Sequence, residues 1–184
     1  MPTLLVAEAA LVKTSEPVVA EARDARIVPG RPEHGHAEIF RKVREVAETG
    51  ALPIVLGGDH SIASADVLGI ARHRGMGKIS MVHFDAHADT GETQFGALVG
   101  HGTPMRRLID SGAVRGDRFL QLGLRGYWPD EKTLLWMRDQ KMRSYEMTEI
   151  HHRGMNEVLD ESFSILTDGC DGVFLSVDID VVDP

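Results

Sequence analysis

The sequence predicts an α/β domain with a mostly parallel sheet covered by helices on both faces. Three observations carry that reading. From residue 36 onward, short apolar runs of strand length alternate with stretches of helical period. The runs are apolar almost throughout, as in strands buried on both faces. The polar, chemistry-bearing residues gather just after the runs, where parallel sheets place their ligands.

The elements follow in order. Residues 1–35 are the least defined: 4–12 is apolar without a clean period, and Pro17, Pro29, Gly30, Pro32 and Gly35 break the rest into turns. Ala37, Phe40, Val43 and Ala47 recur at helical spacing, and Gly50 supplies a stop. Pro53-Ile54-Val55-Leu56 reads as a short buried strand ended by Gly57 and Gly58, with a helix over 61–74. Strands are expected at 79–84, 119–122, 142–145 and 173–177. Helices are expected at 104–109, 130–140 and 148–166, the last tolerating Gly154. No repeat, low-complexity tract or linker interrupts the chain, and its 184 residues fit one domain.

Composition narrows the function. With 20 basic and 28 acidic residues the formal charge is −8, which argues against a nucleic-acid binder and suits a cationic ligand. A single cysteine, Cys170, rules out an internal disulfide and a thiolate zinc site, and fits a reducing cytoplasm. No apolar run approaches the roughly 20 residues that span a bilayer, so no membrane partner is expected.

Three expected strand ends carry the chemistry. The first ends in Gly57-Gly58-Asp59-His60-Ser61, the second in Asp85-Ala86-His87-Ala88-Asp89, the third in Asp178-Ile179-Asp180. On an extended backbone the spacing of two aims Asp85, His87 and Asp89 to one side, and Asp178 and Asp180 repeat it. Four carboxylates in one crevice repel strongly, about 4 kcal/mol for a pair 4 Å apart at an effective dielectric near 20. No Arg or Lys lies inside these motifs, whereas two divalent cations cancel the charge, and carboxylate with imidazole suits Mn²⁺. His83 reads as a buried, hydrogen-bonded histidine. Asp59 reads as a helix cap or a support for His60, Asp183 as a loop support, His151 and His152 as a solvated face. His101, before the helix start Thr103-Pro104, either hangs over the crevice or sits on the surface. Tyr127 and Trp128 either line a pocket or close a loop onto the core.

Together with His101-Gly102-Thr103-Pro104, these motifs resemble the ureohydrolase family of arginase, agmatinase, guanidinobutyrase and proclavaminate amidinohydrolase. The resemblance implies a three-layer α/β/α fold and a binuclear manganese site. It implies that His60, Asp85, Asp89 and Asp178 hold one ion and His87, Asp85, Asp178 and Asp180 the other. His101 matches the family's proton-shuttling histidine. The implied reaction releases urea from a small cationic guanidino compound. Agmatine leads, because Thr90-Gly91-Glu92 replaces the asparagine that arginase-type sequences carry after the D-x-H-x-D run; guanidinobutyrase and proclavaminate amidinohydrolase activities are the alternatives. A cytoplasmic homo-oligomer, trimer or hexamer, is implied as well. Against that family residues 1–184 read as a single partial domain, incomplete at both ends, with 1–35 poorly defined. Such a piece is expected to show weak or no turnover by itself, and a metal-binding or structural subunit is the competing reading. A metallophosphoesterase is disfavoured because its Gly-Asn-His-Asp run is missing. A single-zinc deacetylase-like site is disfavoured by His60 combined with Asp89.

Overall fold

The computed structural model describes residues 5–10, 18–28, 30–126 and 129–182. Strands β1 (Leu5–Ala10) and β2 (Val18–Glu21) precede helix α1 (Pro32–Glu48) and β3 (Leu52–Leu56). A 3-10 turn, His60–Ile62, leads into α2 (Ala63–Arg74), then β4 (Ile79–Phe84), α3 (Pro104–Asp110) and β5 (Val114–Leu124). The chain continues through α4 (Glu131–Asp139), β6 (Arg143–Glu146), α5 (Met147–Arg153), α6 (Met155–Thr167) and β7 (Gly172–Val177), ending in a 3-10 turn, Ile179–Val182.

Four strands form a wholly parallel sheet in the order β6-β5-β4-β7. Their side chains alternate between two apolar layers, as the strand period of two requires. Ile79 and Met81 of β4 and Phe119 of β5 pack against Val67 and Ala71 of α2 and Met105 and Leu108 of α3. On the other face Val82, Leu120 and Leu122 meet Tyr145, Ile150 of α5 and Val158 and Leu166 of α6. Helices on both faces make three layers, α/β/α. The other sheet, β2-β1-β3, is antiparallel.

Several expectations need correction. The first 30 residues do supply strands, β1 and β2, which the broken apolar pattern concealed. The helix expected over 148–166 is two helices, because Gly154 has φ +86°, a left-handed conformation that ends α5 and starts α6. β3 is not buried: Leu52, Ile54 and Leu56 are exposed. So are Val173, Leu175 and Val177 of β7. The two strands are the unpaired edges of their sheets and line a shared groove of about 860 Å³ floored by Asp66 and Ile70 of α2. Along α1 the buried stripe is Ile39, Val43, Val46 and Ala47, leaving Ala37 outside. Tyr127, Trp128 and Asp183 lie outside the described residues.

Candidate metal centre

The site is assembled from three strand ends. After β3, Gly57 and Gly58 turn the chain with positive φ, and Asp59 caps the following 3-10 turn by accepting the Ser61 N–H at 2.9 Å. That turn presents His60. The Ser61 hydroxyl lies 3.0 Å from His36 Nε2, which ties the turn to α1.

After β4 the chain does not stay extended. Asp85 Oδ1 accepts the His87 N–H at 2.6 Å, a local turn closed by the aspartate itself. Asp89 sits at φ +50°, a conformation Asp tolerates better than most residues. The expected common direction for Asp85, His87 and Asp89 is therefore replaced by two. Asp85 and Asp89 meet His60: its Nδ1 is 3.0 Å from Asp85 Oδ2 and 2.9 Å from Asp89 Oδ2. His87 turns the other way, its Nδ1 2.9 Å from Asp180 Oδ2 and 3.5 Å from Asp85 Oδ1.

After β7, Asp178 Oδ2 lies 3.3 Å from His60 Nδ1, while its Oδ1 accepts the Asp180 N–H at 3.3 Å. Asp180 Oδ1 accepts the Ala86 N–H at 3.1 Å. Arg125, just past β5, donates to the Asp180 carbonyl and so fastens the last turn to the sheet. The structure thus brings six expected side chains into two adjoining clusters with Asp85 in both. It does not bring His101 into either. That ring is exposed in the loop before α3, its Nε2 2.7 Å from Gln94 Nε2, with Asp59 as a nearby charge. His151 and His152 are exposed, as expected.

The donor set fits divalent cations. Ligand atoms of His60, His83, Asp85 and Asp89 lie within 4.8 Å of one another, as do those of Asp85, His87 and Asp180. His60 Nδ1 faces three carboxylates yet makes no well-aligned hydrogen bond, and one N–H could serve only one of them. Oxygen and imidazole donors without thiolate suit Mn²⁺; the Cys170 thiol donates to the Leu166 carbonyl instead. Charge balance acts in the same direction. Burial opposes charge on His60, but the close carboxylates of Asp85 and Asp89 raise it to about 10. Burial also opposes charge on Asp85, but the close His60 ring and the hydrogen bond from His83 hold it well below the usual carboxylate range. Burial, with Asp85 and Asp178 nearby, shifts Asp180 upward.

Four supporting residues escaped the sequence reading. Ser176 of β7, Gln121 of β5 and Ser144 of β6 come from three strands, with Arg125 just past β5, and strand register brings them to the site. One signal was available: Gln121 is the lone polar residue in Phe119-Leu120-Gln121-Leu122, and it is fully buried.

A parallel α/β/α domain with paired His/Asp clusters at its strand ends defines a class of metal-centred α/β proteins. Comparison with known proteins then fixes the family. The Arginase family matches residues 6–184. Guanidinobutyrase of Pseudomonas aeruginosa is 36% identical, covering 73% of this chain and 41% of that protein. Mitochondrial agmatinase of Gallus gallus is 35% identical, covering 78% and 42%. Among solved structures, formimidoylglutamase of Bacillus subtilis superimposes with a TM-score of 0.79 at 28% identity, over 85% of this chain and 48% of that one. The chain belongs to the arginase family. It spans somewhat under half the length of these relatives.

Proposed function

We propose that the chain carries the metal centre of a manganese-dependent amidinohydrolase that releases urea from a guanidino compound. The observation that carries this reading is the meeting of His60, Asp85, Asp89 and Asp178 on one side and His87, Asp85 and Asp180 on the other. Bound there, two Mn²⁺ ions would supply the positive charge that makes water a competent nucleophile near neutral pH. The remaining chemistry belongs to the chain. His60 would offer Nδ1 with oxygens of Asp89 and Asp178 on one side, His87 would offer Nδ1 with Asp180 on the other, and Asp85 would serve both. His101, its Nε2 2.7 Å from Gln94 Nε2, would be the acid that gives the departing nitrogen its proton.

Agmatine is the leading substrate. Thr90 is buried with its hydroxyl on the Met137 sulfur, and Glu92 is paired with Lys132 at 2.5 Å, so neither offers a donor to an α-carboxylate. Relatives of similar identity are named guanidinobutyrase, guanidinopropionase, formimidoylglutamase and arginase, which keeps the other guanidino acids as the alternatives. A cytoplasmic homo-oligomer belongs to the same proposal. Among the described residues no helix is long and apolar enough to cross a membrane. A second reading, metal binding without turnover, is favoured by the exposed edges of β3 and β7 directly beside His60 and Asp178.

The test is urea release after manganese loading, with agmatine, 4-guanidinobutyrate, arginine and a proclavaminate-type substrate compared. Low but manganese-dependent urea release, fastest with agmatine, is expected. Metal uptake with no urea from any of the four would leave the second reading. Turnover of arginine ahead of agmatine would contradict the substrate assignment.

A further inference from the structure

The parallel register places four polar residues side by side across the sheet, one per strand. His83 of β4 pairs with Ser176 of β7 and with Gln121 of β5, and Gln121 pairs with Ser144 of β6. The row crosses the sheet immediately below the strand ends. His83 and Gln121 are fully buried and Ser176 is nearly so. Such a row is costly to bury unless its donors and acceptors match.

They match in one direction only. Gln121 Nε2 lies 2.6 Å from the Ala88 carbonyl, which can only accept, so that atom is the amide NH₂. Gln121 Oε1 accordingly accepts from the Ser144 hydroxyl at 3.2 Å. The second amide hydrogen faces His83 Nδ1 at 3.1 Å, which makes Nδ1 an acceptor. The ring proton of His83 must therefore sit on Nε2, where it meets Asp85 Oδ2 at 2.8 Å. At the other end of the row, Ser176 Oγ is 2.9 Å from His60 Nε2. That contact turns the His60 ring so that Nδ1 faces Asp85, Asp89 and Asp178.

We infer that Ser144, Gln121, His83 and Ser176 form a positioning relay. It fixes which nitrogen of His83 carries hydrogen and how the His60 ring is turned, and thereby the aim of the shared carboxylate Asp85 and of His60 Nδ1 toward a cation. The inference rests on the proposed metal centre for its purpose but not for its geometry. His83 is thus no ligand: its Nε2 is committed to Asp85, and the amide of Gln121 occupies its other nitrogen.

Proton–nitrogen correlation spectra of protein labelled with ¹⁵N-histidine read the tautomers directly, before any metal is added. The intact chain is expected to show hydrogen on Nε2 of His83. Gln121→Met, close to Gln in shape but without the amide, is expected to give mixed His83 tautomers and leave His60 unchanged. Ser176→Ala is expected to leave the His83 tautomer unchanged and to alter only the His60 signals, whose ring loses its Nε2 partner. On subsequent titration with Mn²⁺ alone, each variant should bind about 10- to 100-fold more weakly, the usual effect of removing an outer-shell partner. Hydrogen on Nδ1 of His83 in the intact chain overturns the relay, and that spectrum decides even where a variant fails to fold. A Gln121→Met protein with unaltered tautomer and Mn²⁺ affinity overturns it too. Correct tautomers in a chain that binds no Mn²⁺ would instead sink the proposed function and leave the relay standing.

Discussion

Asp66 is the clearest case of a single residue setting a property of the whole chain. It sits on α2 at the floor of the groove, 4% exposed, with Oδ1 lacking a hydrogen-bond partner. Burial raises it to about 8, against the smaller opposing charge of His60. The folded carboxyl therefore keeps its proton up to about pH 8, while the unfolded one releases it near 4. The folded state holds more protons through that window, so its stability falls as pH rises from about 4 to 8. Asp66→Asn cannot ionise. Denaturant unfolding across pH 5–9 is expected to show a flatter fall for the variant than for the parent chain; parallel slopes would refute the role. None of this is visible in the sequence, where Asp66 looks like a first-turn acid of a helix. The metal-seeking residues were legible because their types and spacing are unusual together. Their directions were not, because Asp85 closes a turn on His87 and bends the run that spacing alone would keep straight.

Element by element, the strands and helices that face a filled core were read closely, and those that border open space were not. β4 and the helices beside it follow the apolar pattern. β3 and β7 carry equally apolar sequences, yet burial depends on a neighbour across the groove that local pattern does not report. The break at Gly154 is a similar case. Apolar residues continue on both sides in helical phase, and only the backbone angle separates α5 from α6. Arg153 spans the break, pairing with Glu149 at 2.7 Å on one side and Glu157 and Glu161 at 2.8 and 2.5 Å on the other. A Cβ at residue 154 meets no atom within 4 Å, so substitution there tests backbone strain alone. Gly154→Ala is expected to destabilise the chain by about 1–2 kcal/mol, the cost of a left-handed non-glycine residue. Chemical denaturation measures it. A stabilised variant would mean that the two helices can merge into the single one the pattern suggests.

For the whole molecule, the mostly parallel sheet covered by helices on both faces follows from patterns within the sequence. What required coordinates was the lateral register. Register sets Ser176, His83, Gln121 and Ser144 in one row, and the folded loops keep Asp178 with His60 and leave His101 outside both clusters. The count of Mn²⁺ per chain by elemental analysis, after loading and exhaustive desalting, tests the central claim most directly when the parent is compared with Asp85→Ala, which removes the carboxylate common to both clusters. Two ions per parent chain are expected, with loss from both positions in the variant. A parent that retains none, or a variant that still carries two, would contradict the account.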